Sequence, residues 1–492
     1  MSIIGIDVGS SSVKAVAYRE DGLLLVSTRA PLTPLHPEPG TWEQDANEVW
    51  LATCRVMGEI AAGDAVRRDP PSALALSASG RENFLVDAEG LPLCHALMGA
   101  DVRGAEFETP PPGSPNPEAW TLSCGHQRER MDPMFRLLWW VKTQPELVRQ
   151  ARYWLGWPDF LALRMCGDPV TDPSCASRYL VYDLVKGDWS RERMTEFGIE
   201  PSLLPRVGRF GSLIGDVDRH ILADWGISSR VVMAVGCHDS QSAALGMGAI
   251  GKTTASFVFG SYENIVKPEV GLPTESLLRA MFSIMPFPCS TGLSLIGISP
   301  TGSAVMDWAR GLFGVTVEQM TQALEASGDG PSAVVAVPYL FGAMLHWPEG
   351  RKLRGAVLGL TLATTPSDIL KALMESVAYD HARTLEGLRA EGIPVNRIRA
   401  AGGGARSLWW TQLKADMLGV PIEVVDQPEP GTLGAAILAG NATGVYPDIE
   451  AASVRLAKVA RSFDPDPRRR EAHRENMQRY AQAVRGALTL PN

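Results

Sequence analysis

Three short stretches of this sequence place carboxylates, hydroxyls and glycines where they could handle phosphate. The first is Asp7-Val8-Gly9-Ser10-Ser11-Ser12, at the end of an apolar run and opening onto a turn. A turn glycine lets backbone N–H groups approach a phosphate, serine hydroxyls add donors, and a strand-end carboxylate can hold hydrated Mg²⁺. The same letters also suit an ordinary hairpin turn. The second is Gly236-Cys237-His238-Asp239-Ser240, where an apolar strand ends in a carboxylate just before a small-residue helix. Asp239 there is either an N-cap or a general base facing a cleft, because both need that strand-end position. His238 beside it reads as a packed or solvent-side histidine, and no second ligand at helical spacing makes it a metal site. The third is Gly402-Gly403-Gly404-Ala405-Arg406-Ser407, between a strand and a helix. Three consecutive glycines cost backbone entropy, so they imply a close approach that a Cβ would block, by a flat ligand or by a tight helix–strand crossing. No G-x-G-x-x-G follows the first strand as a dinucleotide fold would require.

The elements that must carry these residues are legible around them. IIGIDV, SVKAVAY and the run after Asp21-Gly22 read as a β-meander, with the polar Gly9–Ser12 loop at its first bend. ANEVWLATCRVMGEIAA has apolar residues at helical spacing, and SALALSASG reads as a short buried strand. VVMAVG predicts a strand, SQSAALGMGAI a helix, and KTTASFVFGSYENIV a hairpin that loosely echoes the first meander. A weak internal duplication follows. Further on, SDILKALMESVAYDHARTLEGL is an amphipathic helix, PIEVV a strand, and GTLGAAILAG a small-residue helix. TPPPGSPNP, Thr109 to Pro117, reads as a surface loop within one domain, and the tail from about Asp448 reads as helical and highly charged.

Length and charge bound the reading. At about 100–200 residues per domain, 492 residues give two to four domains, with two large ones the simplest division. The boundary is expected near residue 247, giving domains 1–246 and 247–492 with a cleft between them. Repeated β-meander plus α units make the fold class α/β. A formal charge of −9, with both signs well mixed, gives no footprint for nucleic acid. Seven scattered cysteines without C-x-x-C spacing suit a reducing compartment. No signal-peptide pattern and no apolar run of about 18 residues is present, so a soluble cytoplasmic protein without membrane contact is expected.

Together and in this order, GIDVGSSSVKA, GCHDSQSAALG and AAGGGARS resemble the FGGY family of carbohydrate kinases, within the actin, chaperone and sugar-kinase superfamily. The chain looks similar to xylulokinases and glycerol kinases through further stretches such as SGRENFLVDAEGLPL, TDPSCASRYLVYD, TGSAVMDW and TQLKADMLGVPIEV. The resemblance covers roughly residues 3 to 446. It implies two ribonuclease-H-like, actin-like ATPase domains, the first binding the sugar and the second most of the ATP. By the same resemblance Asp7 positions Mg²⁺ and Asp239 takes the proton of the attacking hydroxyl. Gly9, Ser10, Ser11, Ser12, Gly260, Ser261, Gly402, Gly403, Gly404 and Ala405 line the nucleotide, and Arg81 and Glu82 match the pair with which glycerol kinases hold their polyol. Asp101 and Arg103 sit where the family has W-x-D-x-R.

Four positions depart from the family pattern. The Gly-Thr-Ser/Thr loop is Gly260-Ser261-Tyr262-Glu263, and the aromatic before Asp101 is replaced by Met98-Gly99-Ala100. Gly342-Ala343-Met344-Leu345-His346 stands for G-E-R-x-P, and Ser240 follows Asp239 where glycerol kinases carry Gln. The expected activity is ATP- and Mg²⁺-dependent phosphorylation of a small sugar or polyol, be it a ketose, a polyol or a sugar acid. A homodimer is compatible with this reading. The altered Gly260 loop motivates an alternative, a catalytically weak sugar- and nucleotide-binding regulatory protein of the same fold. A chaperone-like or actin-like switch would need a peptide-binding extension that is not expected here.

Overall fold

The computed structural model describes residues 1–109, 117–343, 345 and 353–489. Most of the Thr109–Pro117 loop, together with Met344 and His346, lies outside the described residues. The chain folds as an α/β protein of two domains, each built on a mixed sheet. In the first, Ser2–Val8, Ser12–Tyr18 and Leu24–Pro31 form the antiparallel meander, and Pro71–Ala78 and then Val232–His238 continue the sheet in parallel from Ser2–Val8. In the second, Thr254–Phe259, Glu263–Pro268 and Leu293–Ser299 repeat the meander, and Arg397–Ala401 and Ile422–Val425 repeat the parallel pair. These five strands therefore follow the same order in both sheets. The loose echo between the two sequence halves is a duplication of topology.

The tail differs from its expected helical reading. Val459–Phe463 is a strand that pairs antiparallel with Ile422–Val425 at the sheet's edge. Four of its five residues are exposed, so ladder hydrogen bonds rather than an apolar face hold it, and hydrophobic periodicity carried no signal of it. Helices flank it at Ile449–Leu456, Pro467–Ala472 and Arg474–Leu488.

Strand Ser2–Val8 shows how sequence alternation sets the layers. Ile4, Ile6 and Val8 enter one core with the buried face of helix Ala46–Ala62, whose start is capped by the Asp45 side chain. Ile3 and Gly5 face the opposite side, where helix Pro430–Ala442 from the second half of the chain lies. That helix also meets helix Asp239–Gly246, which in turn packs Ala243 and Met247 against Ala401 and Val425 of the second sheet. Glycine makes the stack fit. A Cβ on Gly5 would lie 1.8 Å from the Thr432 carbonyl oxygen, one on Gly246 2.0 Å from that of Pro430, and one on Gly434 1.9 Å from that of Ser242. Among the described residues no helix is long and apolar enough to cross a membrane.

Because the Gly434 contact is backbone against backbone, no rotamer change relieves an added methyl group. Gly434→Ala is expected to cost about 3 kcal/mol or more, the upper end of core overpacking. Gly486→Ala, in an exposed helical position with nothing near its Cβ, serves as the control and should be neutral or stabilising. Chemical denaturation of both variants measures the difference; equal midpoints would remove the crossing as a constraint.

Candidate active site

Strand register brings the first two motifs together. Asp7 pairs in register with Ser77 on the neighbouring parallel strand, and Ser77 pairs with Cys237 on the next. Ser77 Oγ donates to Asp7 Oδ1 at 2.7 Å. Asp239 opens helix Asp239–Gly246 one residue beyond the end of its strand, with its side chain 42% exposed. Its Oδ1 accepts from the Ser240 N–H and from Ser240 Oγ at 3.0 Å, and lies 2.9 Å from His238 Nδ1. Burial works against the Asp239 charge, but His238 and the Ser240 donors outweigh it and hold the carboxyl at about 2. Burial pushes Asp7 up to about 6; the Ser77 hydrogen bond opposes the rise and the neighbouring Asp239 charge adds to it. One carboxylate is thus firmly ionised beside another that gains from a nearby cation.

Such a cation fits Asp7. A Cβ on Gly431 would stand 3.3 Å from Asp7 Oδ1, so glycine there leaves the carboxylate uncovered. Lys14, in register with Asp7, turns its Nζ to Glu429 Oε2 at 2.7 Å instead of to Asp7. Among the described residues no cluster of three or more His, Cys, Asp or Glu could hold a metal by itself. The donor set therefore suits an ion such as Mg²⁺, which takes one or two carboxylates and fills its remaining positions with phosphate and water.

Arg81 and Glu82 follow strand Pro71–Ala78 and point into the first domain. Arg81 Nη2 lies 2.8 Å from Glu129 Oε2, both side chains being largely buried. Glu82 is buried, and among the described residues its Oε2 has no hydrogen-bond partner. The buried Arg136 guanidinium donates to the carbonyls of Arg81, Leu97 and Met98, which fixes the backbone on both sides of Glu82. Gly99, where the sequence lacks an aromatic, has Glu82 Oε1 as its nearest neighbour, 3.9 Å from a Cβ position. Asp101 and Arg103 pair with each other, and Arg103 also with Glu43, while Asp101 accepts from the Trp42 N–H; they tie down the 42–43 segment.

The Gly260–Ser261 hairpin and the Gly402–Ala405 run belong to the second sheet, and the Gly9–Ser12 turn belongs to the first. Gly9 N–H closes the first hairpin onto Ser12 O, leaving Ser10 and Ser11 exposed. The Gly260-Ser261-Tyr262 hairpin is held by Ser303 N–H, which donates to Gly260 O at 2.9 Å, and Asn264 Nδ2 reaches Ser240 Oγ at 3.2 Å. The Tyr262 ring is 51% exposed and tilted against Phe341, so it stands outside the turn. The glycine run divides by role. Gly402 has φ 103° and would put a Cβ 2.6 Å from Phe259 O, while Gly404 is crowded by Trp410 and Phe259. Gly403 meets nothing within 4 Å. Gly402, Gly403 and Ala405 line a pocket of about 610 Å³ with Asp426, Gln427 and Arg461.

Sequence reasoning missed Ser77, Gly431, Lys14 with Glu429, and Glu129. Each acts through strand register or through a partner tens to hundreds of positions away, so no local spacing announces it. Of the packed and solvent-side readings of His238, the structure has the packed one, with the buried ring 2.9 Å from the Asp239 carboxylate.

Comparison with known proteins identifies the family and the fold. The N-terminal domain of the FGGY family of carbohydrate kinases matches residues 2–246, and its C-terminal domain matches residues 297–443. A glycerol kinase of Ectopseudomonas mendocina is 28% identical over 498 residues, covering 96% of each chain. A xylulose kinase of Escherichia coli is 26% identical over 504 residues, covering 99% of each. The fold superimposes on a crystal structure of a xyloylose kinase from Brucella ovis with a TM-score of 0.90 at 22% identity, over 99% of each chain. It superimposes on Plasmodium falciparum glycerol kinase with ADP at 0.86 and 21% identity, over 100% of this chain and 99% of that one. With both family domains present in order on the duplicated sheets, the chain belongs to the FGGY family of carbohydrate kinases.

Proposed function

We propose that the chain transfers the γ-phosphoryl group of ATP to a hydroxyl of a small ketose, polyol or sugar acid, with Asp239 as the general base. The observation that carries this reading is the pair Asp7 and Asp239, set on two strand ends of one sheet, where one carboxylate is ionised and open and the other is placed for a cation. Arg81 and Glu82 hold acceptor hydroxyls, a fork of donors beside an acceptor. Gly9–Ser12 and Gly260–Ser261 offer backbone and hydroxyl donors to the phosphates, and Gly402–Ala405 carries the adenosine. Mg²⁺ held at Asp7 neutralises phosphate charge when bound. The domain division at residue 247 is part of this reading, with acceptor contacts in 1–246 and most nucleotide contacts in 247–492. A cytoplasmic location accords with seven free cysteines. The regulatory alternative is not favoured, since the similar proteins are named as kinases.

A panel of pentuloses, hexuloses, tetritols, glycerol and aldonates, scored by ADP release, identifies the acceptor. On that acceptor Asp239→Asn should lower kcat by ~10²–10⁴-fold, the usual contribution of a general base, with little change in stability. Near-normal turnover would refute the assignment.

Gly403 separates nucleotide binding from packing. Its φ is not in the left-handed region and its Cβ space is empty, so Gly403→Val should fold normally, weaken ATP binding and spare acceptor binding. Calorimetric titration with each ligand decides it, and unchanged ATP affinity would return the whole run to a packing role.

For the acceptor, Glu82→Gln is cleaner than Arg81→Ala, because losing Arg81 also strands the buried Glu129 carboxylate. A hydrogen bond to a charged group contributes ~1.5–3 kcal/mol, so Glu82→Gln should lower kcat/KM for the acceptor roughly 10–150-fold. Acceptor-independent ATP hydrolysis should stay constant. Equal losses in both activities would assign Glu82 to the fold.

A further inference from the structure

We infer that Asn264, on the second sheet, is a positioning residue for the transfer: through the Ser240 hydroxyl it holds one oxygen of the Asp239 carboxylate, so that the base is set from both sheets. The inference rests on Asp239 being the base, and goes beyond it. Two hydrogen bonds make the link. Asn264 Nδ2 donates to Ser240 Oγ at 3.2 Å, and Ser240 Oγ donates to Asp239 Oδ1 at 3.0 Å. Among the described residues this is the one hydrogen bond of the Asn264 side chain, whose buried Oδ1 has no partner. Ser240 is also one of the positions at which the sequence departs from glycerol kinases.

The direction of the link follows from the groups in it. A serine hydroxyl has one proton, and it goes to an ionised carboxylate oxygen in preference to a neutral amide oxygen. Ser240 Oγ is then an acceptor towards Asn264, so the amide turns its Nδ2 to it. The carboxylate torsion of an aspartate is broad and two-fold, and a serine hydroxyl rotates to suit its partners, so neither group is fixed without a further contact. The Ser240 N–H also donates to Oδ1, but it moves with Asp239 on the same helical turn. Asn264 supplies a restraint anchored outside that turn. It lies in strand Glu263–Pro268, paired with Val258 on one side and with Ile298 on the other. That strand begins directly after the Gly260-Ser261-Tyr262 hairpin, so the base and the proposed phosphate contacts share one support. Among the described residues no hydrogen bond occupies Asp239 Oδ2, which leaves that oxygen to meet the acceptor hydroxyl.

The test measures kcat and both KM values for the wild type, Ser240→Ala, Asn264→Ala, their double variant, Asn264→Asp and Asp239→Asn, on the acceptor the wild type phosphorylates best. Ser240→Ala and Asn264→Ala should each lower kcat about 2–10-fold, the range of one hydrogen bond, with KM for ATP unchanged. Both act through one hydroxyl, so the double variant should be no slower than the slower single variant. Asn264→Asp keeps the size of the side chain but offers the Ser240 hydroxyl an acceptor in place of a donor. It should be slower than Asn264→Ala, and being isosteric it decides the matter where the alanine variant fails to fold. Losses that multiply in the double variant, an Asn264→Ala enzyme with wild-type kcat, or an Asn264→Asp enzyme as fast as the wild type overturns the inference while Asp239→Asn remains inactive. Should Asp239→Asn itself stay active, the base assignment falls, and this inference with it.

Discussion

Between the two sheets, helix Asp239–Gly246 crosses helix Pro430–Ala442 with backbone against backbone, and that contact brings Gly431 beside Asp7 and Ser77. Gly246 and Gly434 make the crossing, Gly5 seats the second helix on the first sheet, and Ser242 Oγ ties it to Gly431 O at 2.7 Å. Such close approach is open only to residues without a Cβ. The two helices exchange partners. One continues from the first sheet and packs on the second, and the other comes from the second half of the chain and packs on the first. A shared apolar core therefore holds Asp7, Asp239 and Gly431 at one end of the stack. The Gly260 hairpin and the Gly402 turn are held from the other side.

The electrostatics depend on this geometry. Two carboxylates at neighbouring strand ends repel, and the fold resolves the repulsion asymmetrically. Asp239 is surrounded by donors and stays ionised; Asp7 has one hydroxyl donor and a rising pKa. Under the proposed roles, a base needs an ionised carboxylate and a cation ligand can stay poised until the ion arrives. Two identical side chains thus differ in ionisation because their hydrogen-bond partners differ.

Under the Gly260 hairpin and the Gly402 turn lies a different device. Lys414 and Glu263 form a fully buried ion pair, with both carboxylate oxygens within 2.7 Å of Nζ and the ammonium 3.7 Å from the Phe259 and Trp410 ring centres. Burial pushes Glu263 up to about 7 and Lys414 down to about 8, each opposed by its partner. A pair this desolvated adds little to stability compared with apolar packing. It does join the residue after the Gly260 hairpin to the helix after the Gly402 turn. Phe259 and Trp410, which crowd Gly402 and Gly404 from behind, are the rings that flank this ammonium.

How much of this was legible beforehand varies with the range of the signal. Turn glycines, alternating strands and the order of three motifs are local, and they determined the α/β class, the family, the strand-end positions of Asp7 and Asp239 and the helices Ala46–Ala62, Pro366–Ala390 and Pro430–Ala442 to within a few residues. The strand Val459–Phe463 was not legible, because an edge strand with four exposed residues has no apolar period. The three glycines at 402–404 left packing and ligand contact as open readings, and only the backbone around Phe259 and Trp410 divided them between Gly402, Gly404 and the unobstructed Gly403. Ser77, Gly431 and Glu129 gained their roles from strand register and chain crossing, which relate residues tens to hundreds of positions apart. His238 and Asp239 are adjacent in sequence, yet whether the imidazole faces the carboxylate or the solvent is a side-chain torsion set by packing. The sequence by itself determined which chemical groups are available and on which elements; the tertiary structure decided which oxygen, which nitrogen and which glycine face one another, because those choices depend on distances between elements that no local pattern encodes.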